Sequence, residues 1–266
     1  IRFNNKNDSL LFLQADTTFS LASQKSDSIL TLTKGLLKKS KSAASNLTLA
    51  NIYNAMGWAY LHTGFLDSSV NSLTTAWQYF TKAKDTNGII RVSINISEVY
   101  TKQNQIDNAI QFLTQADSLC ILTGNIPFHT NVQRQLGVVY REAKDYERSA
   151  EYLNNALNGF LQMEDYHRYL STGISLSILY RYLKMPDSSL AILNKCTGVI
   201  NLYESTPYQR AMLQEHIAES YFQKENFTKA LVHYTNAYTG FKEINNKADI
   251  AYEAMNIGKA YGSLEE

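Results

Sequence analysis

A tyrosine recurs at Tyr60, Tyr100, Tyr140, Tyr180, Tyr221 and Tyr261, so the spacings are 40, 40, 40, 41 and 40 residues. Self-similarity at one fixed period restricts the chain to a repeat architecture, in which each unit buries its apolar face only against its neighbours. Other columns keep the same register. Four places before the tyrosines stand Met56, Ile96, Leu136, Leu176, Ile217 and Ile257, all apolar, and three places before them Gly57, Ser97, Gly137, Ser177, Ala218 and Gly258, all small. After them come Ser69, Ala109, Ser149, Ser189 and Ala230, then Leu73, Leu113, Leu153, Leu193 and Tyr234, then Ala76, Ala116, Ala156, Cys196 and Ala237.

Within a period the apolar spacing is that of two amphipathic helices. Short polar breaks part them: "HTGFLD" at 62–67, "KQNQID" at 102–107, "EAKDYE" at 142–147, "YLKMPD" at 182–187 and "QKENFT" at 223–228. Asp67, Asp107 and Asp187 fall at or near the start of the second helix, where a carboxylate meets unpaired N–H groups and the positive dipole end, and Pro186 suits an early helical position. Removing the turns leaves helices of roughly 16 residues, about 24 Å long. The small columns mark where helices cross too closely for a branched side chain; leucine at Gly137 or Ser149 should overpack by about 1–3 kcal/mol.

Charge balance excludes several classes of partner. Lys and Arg number 25 against 24 Asp and Glu, a net charge of +1, so no global field draws the chain to nucleic acid or an anionic membrane. The basic run "KGLLKKSKS" at 34–42 reads as a solvated helix end, with Lys38, Lys39 and Lys41 at the negative end of the dipole. No apolar run reaches the ~18 residues needed to span a bilayer. Ile1 stands first where a start methionine would be, and a cleaved signal peptide is one account of it.

Catalytic chemistry is not signalled. His62, His129, His167, His216 and His233 are scattered without ligand spacing and read as surface or satisfied side chains. Cys120 and Cys196, 76 residues apart, offer neither a disulfide framework nor a metal pair. Cys196 takes a core column; Cys120 lies late in a second helix, partly exposed on this reading, with no base nearby. Neither a nucleophile elbow nor a Walker-type loop occurs. The expectation is a non-enzyme with no cofactor and no metal.

The segments "LGVVYREAKDYERSAEYLNNAL" at 136–157 and "IAESYFQKENFTKALVHYTNAY" at 217–238 resemble the tetratricopeptide repeat (TPR). The period near 40 exceeds that family's usual length and is similar to arrays in bacterial regulatory and signal-transduction proteins; the early aromatic of the first helix survives only as Tyr53. The resemblance implies an all-α, right-handed superhelical solenoid of antiparallel helix hairpins. Residues 1–49 read as a worn capping hairpin, with Ser20 in the tyrosine column, 50–249 as five repeats, and 250–266 as the first helix of a sixth. Ile257 and Tyr261 are core-type residues that expect a partner, so the terminal helix is either a solvating cap or the start of a chain that continues.

In TPR proteins the first helices line a concave groove that holds an extended peptide or a partner helix. Carrying the inward columns across nominates Asn54, Trp58, Arg91, Glu98, Arg134, Val138, Arg141, Arg181 and Tyr182. Arg141 and Arg181 share one column, and Arg91 and Arg134 the same wall; guanidinium forks suit carboxylate or phosphate oxygens, while Glu98 and Glu142 are near enough in register to pair with them instead. Trp58 and Tyr182 offer flat faces for a ligand or for neighbouring helices. The two-carboxylate clamp of chaperone-binding TPR domains needs Lys and Asn where this chain has Asn54 and Trp58, so chaperone-tail recognition is not implied.

The function expected is a protein- or peptide-binding module, the sensor or scaffold region of a larger bacterial regulatory protein. The alternatives are a cytoplasmic regulator binding a signalling peptide and a structural assembly scaffold, and self-association is compatible with each. "DSL" at 8–10 and 117–119, "DTT" at 16–18 and "DSI" at 27–29 resemble the acceptor motif of bacterial periplasmic O-glycosylation, which favours a periplasmic setting; helix capping by Asp and Ser is the other account.

Overall fold

The computed structural model describes residues 26–40, 44–200 and 202–265. Among them are twelve helices and no strand: α1 (Ser26–Ser40), α2 (Asn46–His62), α3 (Leu66–Ala83), α4 (Thr86–Lys102), α5 (Ile106–Thr123), α6 (Ile126–Glu142), α7 (Tyr146–Gln162), α8 (Tyr166–Tyr182), α9 (Pro186–Ile200), α10 (Pro207–Gln223), α11 (Phe227–Glu243) and α12 (Lys247–Glu265). The fold is all-α, a TPR-like solenoid of antiparallel hairpins. Ser20 and the motifs at 8–10 and 16–18 lie outside the described residues. In the motif at 117–119, Asp117 accepts from Gln133 Nε2 at 3.1 Å and Ser118 donates to the Thr114 carbonyl, so both side chains are engaged within the helical framework.

The turns explain why the tyrosine column is periodic. Gly64, Lys84, Asn104, Gly124, Lys144, Glu164, Lys184, Glu225 and Asn245 all have positive φ, between 54° and 82°. The left-handed residue lets the next amide fold back on the helix it leaves. The amides of Phe65, Gln105, Asp145, Met185 and Asn226 donate to the carbonyls of Tyr60, Tyr100, Tyr140, Tyr180 and Tyr221 at 2.8–3.0 Å. Half a period on, Asp85, Asn125, Asp165 and Asn246 donate to Phe80, Cys120, Phe160 and Phe241 at 2.9–3.1 Å. Each of these five tyrosines closes a hairpin with its backbone, and the rings of Tyr100, Tyr140 and Tyr221 stack on Phe112, Tyr152 and His233 of the following helix.

Side-chain caps fall mainly between repeats. Asp85, Asp165 and Asn246 accept from the amides of Gly88, Arg168 and Asp249, and Thr206 with Gln209 forms a capping box at α10. Asp67 and Asp107 sit one residue inside their helices, behind the non-capping Phe65 and Gln105, and meet the dipole without closing the end. The 41-residue spacing has its cause in the longer connection from α9 to α10.

The small columns are close approaches. Ser69 Oγ donates to the Gly57 carbonyl at 2.6 Å and Ser149 Oγ to the Gly137 carbonyl at 2.7 Å, so one small residue bonds directly to the backbone of the other across the hairpin. A Cβ on Gly57 or Gly137 would meet Leu73 or Leu153, and one on Gly173 would lie 2.3 Å from Cys196 Sγ.

The chain divides into two compact units, Ile1–Gln135 and Leu136–Glu266, with the division inside α6. The core of the first centres on Leu73, Ala76, Phe80, Val92, Ile96 and Val99. That of the second centres on Leu153, Phe160, Leu170, Leu176, Leu193 and Leu213. Cys120 is 1% exposed, contrary to its expected partial exposure, because its position matches Phe80 and Phe160 at the buried end of a second helix.

Candidate functional site

In the first unit, Asn54, Arg91 and Arg134 are each engaged by a neighbouring asparagine amide. Asn54 is buried, and its Oδ1 accepts from Asn95 Nδ2 at 2.9 Å; one place earlier in the ladder, Arg91 donates to Asn51 Oδ1 at 3.2 Å while its guanidinium sits over Phe80. Arg134 donates to Asn131 Oδ1 at 3.4 Å. Trp58 is half-buried and packs edge-on against His62, and Glu98 is half-buried. α2 and α4 thus present a polar ladder of asparagines, to which Arg91 is tied through Asn51.

In the second unit, Val138 packs against the core and Tyr182, 61% exposed, stacks on Tyr146. Arg141 takes the partner within its own helix: its Nη2 lies 2.9 Å from Glu142 Oε1. Arg181 instead pairs with Glu219 of α10, and both arginines act electrostatically on His216.

Around Arg181 the structure assembles a cluster whose acids α10 and α12 supply. Glu219 Oε2 receives Arg181 and, at 2.9 Å, His216 Nδ1; Glu219 Oε1 accepts from Tyr252 Oη at 3.1 Å. Burial pushes the Glu219 carboxyl up, but His216, Arg181 and Tyr252 together hold it below the usual carboxylate range. Burial lowers His216, so its ring is neutral, and we assign the proton to Nδ1, facing the carboxylate. Glu215, His216 and Glu219 bring donor atoms within 4.8 Å of one another, a set that could hold a cation; the guanidinium of Arg181 already serves that role at Glu219.

Beside this cluster lies a cleft of 590 Å³ lined by Arg181, Glu219, Phe222, Gln223, Glu225, Phe227, Tyr234, Tyr252, Asn256, Lys259 and Ser263. Its wall mixes aromatic faces with both signs of charge, the composition of a site that orients a ligand by a few polar contacts. Several lining residues occupy the inward columns already nominated in earlier repeats: Glu219 and Lys259 share the column of Trp58, Glu98 and Val138, Tyr252 that of Arg91, and Gln223 and Ser263 that of Tyr182. Of the residues nominated from the sequence, only Arg181 lines the cleft. Extending the same register to the last tyrosines would have found Glu219, Gln223, Tyr252, Lys259 and Ser263. The buried acids had a different signal, the "EHIAE" stretch at 215–219, which places both carboxylates on one helix face.

The tetratricopeptide repeat family model matches residues 90–120. No curated protein sequence matches the chain. Among solved structures, a Rap protein complexed with competence and sporulation factor is similar at a TM-score of 0.70 and 12% identity, covering 100% of this chain and 78% of that one. NprR in complex with its cognate peptide NprX aligns at a TM-score of 0.60 and 11% identity, over 96% of this chain and 74% of that one. BtubC from P. vanneervenii aligns at 0.64 and 13%, over 87% and 92%. At these identities the likeness shows the fold, and the TPR resemblance read from the sequence stands with it.

Proposed function

We propose that the chain is a non-enzymatic, peptide-binding TPR module, the sensor or scaffold region of a larger bacterial regulatory protein. The observation that carries this is the cleft of the second unit, where inward columns of α8, α10 and α12 converge. Phe222, Phe227 and Tyr234 offer apolar faces, and Gln223, Lys259 and Ser263 offer polar atoms at the rim. The similar NprR structure, whose peptide is named with it, supports the ligand class. Arg181 fixes Glu219 rather than greeting a ligand anion, so an acidic peptide is not required.

Selecting a displayed random peptide library on the chain tests the reading. Peptides enriched on the wild type should lose binding to Lys259→Glu, with the wild-type melting temperature kept, and to Tyr252→Ala, which also gives up the hydrogen bond to Glu219. Undiminished binding to both would reject the cleft as the site.

A further inference from the structure

Glu253 stands eight places before Tyr261, in a column that elsewhere holds Ile52, Val92, Val132, Thr172 and Leu213, where the one other polar member, Thr172, donates to the Arg168 carbonyl and carries no charge. Its side chain is 0% exposed, and neither carboxylate oxygen has a hydrogen-bond partner. The ionisable groups gathered around it come from four helices. From α10 come Glu215, itself buried, and Glu219, with His216 between them; from α8 comes Arg181, committed to Glu219; from α11 comes Tyr234; and α12 adds Asp249 and Tyr252.

Four carboxyls and one guanidinium cannot all be ionised in such a place. Glu219 takes the salt bridge and three hydrogen-bond donors, which leaves Glu253 with neither and Glu215 with only the longer-range pull of Arg181. A carboxylate in that position has lost its water and gained no partner, and a proton is the cheapest remedy. We propose that Glu253 and Glu215 form a proton-operated latch. Protonated, they are neutral side chains that let α12 dock on α10 and α11; when they ionise they repel each other and Glu219, and α12 loosens. The helix carries Tyr252, Asn256 and Lys259, one wall of the cleft, so the latch sets whether the cleft is assembled.

Burial, then the charges of Glu215, Glu219 and Asp249, push Glu253 up to about 8; burial, Glu219 and Asp249 push Glu215 up to about 7 against the opposing pull of Arg181. The sign follows. The unfolded chain surrenders these protons near the ordinary carboxylate value, and the folded chain keeps them to about 7 and about 8. Stability is therefore lost as pH rises between those limits and levels off above them. His216, held neutral by burial, does not titrate upward through this window.

Hydrogen exchange of residues 247–265, corrected for the intrinsic pH dependence of exchange, tests the latch together with thermal melting at about pH 6 and about pH 9. Wild type should melt several degrees lower and lose protection in α12 at the higher pH, whereas Glu253→Gln should flatten both changes. Glu215→Gln should flatten them in part, and Glu253→Leu, which restores the apolar column, should hold α12 at both pH values. A wild-type-sized loss in Glu253→Gln would overturn the proposal. So would protection of α12 at high pH that appears with added Mn²⁺ and vanishes with a chelator, since the cluster would then be a cation site.

Discussion

Replacing Gly137 by alanine sets helix propensity against packing, and the structure decides which wins. An added Cβ would lie 2.6 Å from Leu153 Cγ, 2.9 Å from Leu153 Cδ2 and 3.1 Å from the Leu153 backbone nitrogen. Leu153 is fully buried, and the hairpin is tied at the same point by Ser149 Oγ on the Gly137 carbonyl, so neither helix can simply move aside. At Gly258, in the same column of α12, nothing lies within 4 Å of the added atom. Alanine gains about 1 kcal/mol over glycine in either helix. Gly258→Ala should therefore stabilise by up to about 1 kcal/mol. At Gly137 an overpacking cost of about 1–3 kcal/mol opposes the same gain, for a net loss of up to about 2 kcal/mol. The two variants should differ by roughly 1–3 kcal/mol, and each kcal/mol moves the melting temperature by about 2–4 °C in a chain of this size. Urea unfolding at unchanged m-value reads the difference directly. If Gly137→Ala raises the midpoint as much as Gly258→Ala does, the small column is not a packing requirement and the explanation of the repeat's register fails.

Two further outcomes follow from the turns and the core. Lys84, Lys144, Glu164 and Lys184 adopt a left-handed backbone that Gly64 and Gly124 adopt without strain, so Lys144→Gly and Glu164→Gly should each stabilise by about 0.5–1 kcal/mol, read as additive shifts in the urea midpoint; destabilisation by either would remove the strain argument. Burial pushes the Cys120 thiol up to about 11, helped by the charge of Asp117, and the Cys196 thiol up to about 12, so neither should react with a thiol-specific reagent at neutral pH until urea unfolds the chain. Stoichiometric labelling of the native protein would contradict their placement.

The period was legible because it is a packing requirement: Gly137, Ser149 and Leu153 meet at one crossing, and the columns of Gly137 and Ser149 hold nothing larger than serine. A second column, Phe80, Cys120, Phe160, Ile200 and Phe241, lies half a period away; all but Ile200 close the other turn in the same way, and the cysteine and isoleucine interrupt its aromatics, which obscures the pattern in the sequence. The groove residues were legible as columns but not as partners. Column arithmetic puts Arg141 and Arg181 in equivalent places, yet Arg141 finds Glu142 beside it while Arg181 finds Glu219 on α10, because the character of an arginine depends on which acid the next helix supplies. Glu253 was hidden for the opposite reason. Its column is uncharged elsewhere, apolar but for Thr172, and a carboxylate there reads as a surface residue unless the break in the column is itself taken as the signal.

The hydrogen-exchange footprint of a library-selected peptide on the whole chain tests the proposal that the second unit's cleft holds the ligand. New protection is expected at the C-terminal end of α8, across Glu219–Phe227, and in α12 around Tyr252–Lys259. Protection confined to α2 and α4, where the asparagine ladder lies, would place the ligand elsewhere and contradict it.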